Sequence, residues 1–262
     1  GSPDPSQAGS PISRPAAYDE IGPNYAAFRK PDPRIARMID AALGNARTIL
    51  NVGAGTGSYE PADREVVAIE PSRVMIAQRA RDAPPAVMAA AESLPFRDNS
   101  FDAAMAVLTA HHWADAVGGL TEMRRVARRQ VVLTFDPDIH NRFWLTTDYI
   151  PSAGAVEAST ALQLSTVVET LAASRVQPVL IPHDCVDGFG WAYWRRPRMY
   201  LDPRVRSCIS MLAQSDPTRV EEGVRRLSDD LASGEWSRRH HDLLQQDSVD
   251  GGLRIVVAGE CG

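Results

Sequence analysis

Three glycines two residues apart, Gly53, Gly55 and Gly57, follow a short apolar run that ends at Val52. Glycines in a turn after a strand let the backbone approach a ligand closely, and a helix starting behind the turn offers it free N–H groups. The spacing is G-x-G-x-G rather than the dinucleotide pattern G-x-G-x-x-G/A, because residue 58 is serine; no Gly-Lys-Ser/Thr follows, which excludes a P-loop. A second apolar run ends Ala68-Ile69-Glu70-Pro71 and sets a carboxylate 17 residues after Gly53. At the carboxyl end of a neighbouring strand such a carboxylate can accept hydrogen bonds from both hydroxyls of a ribose. Acid–base chemistry is offered by the adjacent pair His111-His112 and by His183-Asp184. Adjacent histidines without a third ligand nearby seldom chelate, so no metal is expected; Asp136 and Asp138 read as structural.

The elements that must position these groups alternate along the chain. Apolar runs at 48–52, 66–69, 101–108 and 131–135 read as strands, with helix-period stretches at 73–81 and 115–128 between them. Continuous rather than alternating apolar strands imply a parallel sheet covered on both faces, an α/β fold. Upstream, Ile35, Met38, Ile39, Ala42 and Leu43 recur at helical spacing and stop at Gly44-Asn45. Downstream, the pattern predicts a long helix over 154–173, a strand at 178–182 and a last strand from Leu253 to Ala258. Between those strands, about 184–250 reads as a helical insertion capping one end of the sheet. In it, Asp216-Pro217 starts a helix whose buried stripe is Val220, Val224, Leu227 and Leu231.

The chain has 262 residues, 44% hydrophobic and 23% charged, with a formal net charge of -5. That is enough apolar material for a full core and too little positive charge for an electrostatic grip on nucleic acid. No run of about 18 apolar residues exists to span a membrane, and the N-terminus has no signal-peptide h-region. Cys185, Cys208 and Cys261 give neither a disulfide framework nor zinc spacing, so a reducing cytoplasm is expected. Residues 1–15, with four prolines among Gly, Ser and Gln, are expected to be disordered, leaving a single domain over 16–262.

Four motifs stand in register: Ile49-Leu50-Asn51-Val52-Gly53-Ala54-Gly55-Thr56-Gly57; Ala68-Ile69-Glu70-Pro71-Ser72 with Met75; Ala91-Glu92-Ser93-Leu94-Pro95-Phe96; and Ser100-Phe101-Asp102 through His111-His112-Trp113. Together they resemble the class I S-adenosylmethionine-dependent methyltransferases, specifically the small-molecule group with a Leu-Pro-Phe turn before the fourth strand. The resemblance covers about residues 16–137. It implies a Rossmann-like, doubly wound seven-stranded sheet, mostly parallel with the last strand antiparallel. It also implies S-adenosylmethionine as cofactor, with S-adenosylhomocysteine as product, held by Asn51, Gly53, Ala54, Gly55, Glu70, Pro71, Ser72, Met75, Ala91, Glu92 and Leu108. Tyr18, Tyr25 and Arg29 match a Tyr…Tyr…Arg pattern that in relatives forms a mobile lid (here within helical residues 16–45), with Arg29 toward the methionine carboxylate; alternatively, Tyr25 and Arg29 simply pack on one helix face. Two positions depart from the family: Asn51 stands where Asp is usual, and Ala90 where an Asp usually reads the adenine amino group.

The end of the fourth strand lies beside the transferable methyl in the family, which makes His112 the first candidate base and His111 the second, unless both merely shape the pocket. His183 with Asp184 could equally be the acid/base pair. The cluster Trp191, Tyr193 and Trp194, with Arg195 and with Trp113 upstream, could stack on and grip a planar acceptor, or could dock the insertion. The expected partner is a small-molecule acceptor, methylated on oxygen or nitrogen, with no nucleic acid or membrane and the protein a monomer or homodimer. A DNA amine methylase would need an Asn/Asp-Pro-Pro-aromatic turn where Thr109-Ala110-His111-His112 stands. A nicotinamide dehydrogenase and a cofactor-binding protein without turnover are the alternatives.

Overall fold

A computed structural model of the chain describes residues 25–260. The segment 1–15, Tyr18 and Cys261 lie outside the described residues. Among the described residues nine strands occur: β1 (Thr48–Val52), β2 (Glu65–Ile69), β3 (Ala86–Val87), β4 (Phe101–Val107), β5 (Ala127–Phe135), β6 (Arg175–Pro178), β7 (Ile181–Pro182), β8 (Ser248–Val249) and β9 (Leu253–Gly259). Seven of them form one sheet in the order β3-β2-β1-β4-β5-β9-β6, parallel except for β9, which runs antiparallel to both neighbours. The order reverses between β1 and β4, which pair with Asn51 opposite Met105. A crevice opens at the carboxyl ends of strands where the order reverses, and ligands bind there.

Successive strand residues point to opposite faces, so each strand feeds two cores. Ile49, Met105, Val131, Leu133 and Ile255 join one core with the helix Pro33–Leu43 and the insertion; Leu50, Val52, Ala104, Val132 and Val256 join the other under the helices Ala116–Val126 and Leu164–Leu171. The helix Pro33–Leu43 buries the expected stripe and ends at Gly44 with φ +63. Asp32 caps its start, accepting from the Arg34 N–H at 2.9 Å.

The insertion is tied at its neck by the antiparallel pair β7 and β8, which sets Ile181 opposite Val249. Within it, the helix Pro217–Ser233 is capped by Asp216 and ends at Gly234. An aromatic seam joins it to the sheet: Phe143 stacks on Trp191 at 4.5 Å and Trp144 meets Trp236 edge-on at 5.2 Å. Among the described residues no helix is long and apolar enough to cross a membrane.

The sequence pattern misjudged several boundaries. The helix expected over 154–173 is two, Pro151–Ser159 and Leu164–Leu171. Between them the Ser159 and Thr160 hydroxyls turn back onto the Val156 carbonyl and compete with the helix ladder. The strand expected at 178–182 is split between β6 and β7, because Pro178 and Pro182 have no N–H to extend a ladder. The helix read to 81 ends at Ala77, and β5 starts at Ala127 rather than 131, directly from the preceding helix.

Two outcomes are expected. Trp194 is fully buried and donates from Nε1 to the Ile181 carbonyl at 3.1 Å, so Trp194→Ala is expected to cost about 3–5 kcal/mol in urea unfolding. Burial pushes the Asp32 carboxyl up, but hydrogen bonds from Arg34 and from the Val186 N–H outweigh it and hold it at about 2 instead of 3.8. A depressed carboxyl stabilises the fold above its unfolded pKa, so about 2 kcal/mol is expected to disappear as pH falls from 4 to 2, and Asp32→Asn to flatten that part of the stability curve.

Candidate active site

At the end of β1 the chain turns back on itself. The Gly53 and Ala54 N–H groups donate to the Ile69 carbonyl at 2.8 and 2.9 Å, which draws the glycine loop over the end of β2. Gly53 has φ +70, and a Cβ there would overlap the Thr109 side chain, so only glycine fits. Glu70 is buried behind this loop: one oxygen accepts from the Gly55 N–H at 2.7 Å, the other from the Ser72 N–H at 2.8 Å. Ser72 in turn caps the helix Arg73–Ala77, which presents Met75.

These elements border a crevice lined by Tyr25, Arg29, Asn51, Gly53, Ala54, Gly55, Met75 and Leu108 from the expected set, together with Tyr59, Thr109 and Asp187. Pro71 is exposed at the end of β2, and Ala91 and Glu92 do not line the crevice; Glu92 accepts from the Asp115 N–H at 3.0 Å. Asn51 donates from Nδ2 to Glu60 at 3.0 Å, and Glu60 is paired with Arg79 at 2.8 Å, both side chains nearly shut off from water. An Asp at position 51 would face the Glu60 carboxylate without a donor between them.

The crevice is roofed from two sides. Arg29 bridges to Asp187, donating from Nε at 2.8 Å, and the Gly188 N–H donates to the Phe28 carbonyl at 2.9 Å. The Tyr59 hydroxyl accepts from the Asp32 N–H at 3.0 Å and donates to Asp187 at 2.9 Å; burial, then the Asp187 charge, push its pKa up. Tyr59 holds φ +69, a conformation costly for a tyrosine. Neither Tyr59 nor Asp187 carries a motif, and the sequence reading missed both. Only its nearness to the aromatic cluster could have drawn attention to Asp187.

Beyond Leu108, itself at φ +52, the single turn Ala110–His112 leads into a second cavity. Its wall contains His111, His112, His140, Glu157, Phe189 and Met211, and it shares Arg29 and Leu108 with the crevice. The rings of His111 and His112 lie 3.9 Å apart. Burial, with Arg29 adding to it and Glu157 opposing, pushes His112 down to about 4. Burial, then His112, His140 and Arg29, drives His111 lower than an ordinary histidine. Both are therefore neutral at pH 7. His140, missed at the sequence level, faces Glu157 through Nε2 at 3.3 Å and lies over Phe135 at 4.0 Å. Its place after β5, at the carboxyl end of the sheet, was the available signal.

Other expected residues stand elsewhere. His183 sits at the neck of the insertion, its N–H donating to the Asp247 carbonyl, and Asp184 pairs with Arg34; neither lines a cavity described above. Trp191, Tyr193 and Trp194 are buried in the aromatic seam rather than in a cavity wall, because their large apolar faces gain most from burial and both indole N–H groups find buried carbonyls. Arg195 donates to the Gln246 carbonyl, and Trp113 packs by Gly119 and Ala91 on the opposite sheet face. Asp136 caps a short helix by accepting from the Asp138 N–H, and no cluster suited to a metal occurs among the described residues.

The profile of a methyltransferase domain matches residues 50–135. An uncharacterised methyltransferase of Mycobacterium tuberculosis is 35% identical over 118 residues, 43% of this chain and 45% of that protein, so the match spans less than half of that relative. A malonyl-[acyl-carrier protein] O-methyltransferase of Pseudescherichia vulneris is 29% identical over 189 residues, 64% of this chain and 72% of that protein. A crystal structure from Anabaena variabilis, assigned as a methyltransferase from an antibiotic biosynthesis pathway, superposes with a TM-score of 0.82 at 34% identity, covering 89% of this chain and 99% of that one. Because that likeness runs through sheet and insertion alike, the chain belongs to the class I S-adenosylmethionine-dependent methyltransferases.

Proposed function

We propose that this protein moves a methyl group from S-adenosylmethionine to an oxygen or nitrogen of a small molecule, a specialised metabolite, held in the second cavity. The residues fit the cofactor. Glycine at 53 and 55 lets the loop pack onto Thr109 and Met75 and leaves only its backbone in the crevice wall; Glu70 backs the loop with a buried carboxylate, and Arg29 and Asp187 supply opposite charges. When bound, the cofactor supplies an electrophilic methyl group on a good leaving group.

One observation carries the reading: Arg29 and Leu108 line both cavities, so an acceptor in the second lies next to a ligand in the first. Adjacency of this kind supplies most of what an in-line displacement needs, since alignment alone is worth about 7–11 kcal/mol. His112 and His111 face the acceptor as neutral imidazoles and can take a hydrogen bond from its O–H or N–H. A weak base suffices there, because the acceptor's proton becomes acidic only as its heteroatom bonds to the methyl carbon. The O-methyltransferase relative favours oxygen, and the antibiotic-pathway relative favours a specialised metabolite. We further propose that the protein acts in the cytoplasm as a monomer or homodimer, without nucleic acid or membrane.

Calorimetry is expected to show S-adenosylhomocysteine binding 1:1 and no binding of NAD. Glu70→Ala, which releases the Gly55 and Ser72 N–H groups that shape the loop, should weaken the former by about 1.5–3 kcal/mol, and a change of only a few tenths would show that the loop holds its shape without Glu70. His112→Ala is expected to cut turnover by about 10²–10⁴-fold while sparing cofactor affinity. With His112 held near 4, its base form persists in mild acid, so the acid limb of kcat/KM should fall near pH 4. An inflection near 6.5 would exclude His112 as the proton acceptor.

A further inference from the structure

The crevice poses a charge problem. The methionyl end of the cofactor carries an α-carboxylate and an α-ammonium, and burying the ammonium without an anion is costly. Asn51, at the end of β1, has no charge to offer, and the carboxylate it touches, Glu60, lies behind it against Arg79 and does not line the crevice. Glu70 is turned onto the N–H groups of Gly55 and Ser72 and does not line the crevice. Among the described residues, the one carboxylate that does line it is Asp187, contributed by the insertion.

Asp187 is held in place on both oxygens. It is buried, and each oxygen takes one side-chain hydrogen bond, from Arg29 Nε at 2.8 Å and from the Tyr59 hydroxyl at 2.9 Å. An ionised carboxylate has about four acceptor sites, so half its capacity remains. Tyr59 keeps its place through the Asp32 N–H and a left-handed backbone at the end of the glycine loop. Arg29 and Asp187 thus present a cation and an anion side by side, complementary to the anion and cation of an α-amino acid. Building on the cofactor reading above, we propose that Asp187 holds the α-ammonium of S-adenosylmethionine, supplying from the insertion the negative charge that β1 lacks. Phe189 and Gly190, a few residues on, line the second cavity, so one loop serves both ligands.

The test compares three probes by calorimetry on the full chain: S-adenosylhomocysteine, its analogue lacking only the amino group, and 5′-methylthioadenosine, which lacks the whole amino-acid moiety. Asp187→Asn is expected to weaken S-adenosylhomocysteine roughly tenfold or more, and to change the other two by no more than roughly twofold. An equal loss for all three would reduce Asp187 to a prop for the roof and overturn the proposal, as would an unchanged affinity for S-adenosylhomocysteine. Circular dichroism and melting check that the variant folds; Asp187→Ser, smaller and also neutral, is read in the same way if the amide variant does not. Failure of the wild type to bind S-adenosylhomocysteine would overturn the cofactor reading itself, an outcome distinct from either of these.

Discussion

The contact between Gly53 and the Thr109 side chain is the constraint on which the rest depends. It presses the turn after β1 against the turn after β4, at the point where the strand order reverses. With no Cβ at position 53, the two turns close to contact, and the glycine loop packs directly against the turn that leads to His111 and His112. Leu108, strained at positive φ just before Thr109, sits at their junction and faces both cavities. A side chain at 53 would push the turns apart and so alter both sites together.

Around that contact, buried charges are arranged in closed groups. Asn51, Glu60 and Arg79 form one beneath the glycine loop, and Arg29, Asp187 and Tyr59 form another above it. A third joins Asp32, Arg34 and the Val186 N–H, fastening the start of the helix Pro33–Leu43 to the insertion. A buried ion pair is weak evidence of net stability, since desolvation offsets much of the attraction, but removing one partner leaves an expensive orphan charge. These groups therefore act mainly as geometric fasteners. Two of them tie chain segments more than 150 residues apart, so the crevice has its roof only when the insertion is folded.

The insertion divides its residues between packing and the cavity walls. Trp191, Tyr193 and Trp194 anchor it to the sheet, while the residues just before and among them, Asp187, Phe189 and Gly190, reach the cavities. A cluster of large aromatics reads equally well as a binding face or a packing seam until its surroundings are known. Here the indole N–H groups are spent on backbone carbonyls at the seam.

By itself, the sequence determined strands β1, β2, β4, β5 and β9, the glycine loop and the acidic end of β2, because these rest on local periodicity and on residue types within a few positions of one another; the seven-stranded order followed only from the family resemblance, and β3 left no local signal. Gly53, Glu70 and the His111-His112 turn could be placed because each lies just past a strand end, where chain position dictates spatial position. Tertiary structure alone decided the roof of the crevice and the wall of the second cavity. Asp187 meets Arg29 across 158 positions, and Glu157 faces His140 from the helix Pro151–Ser159. No local pattern records such pairings, since they follow from how the insertion docks, and docking is set by side-chain shape and by the search of each buried polar group for a partner.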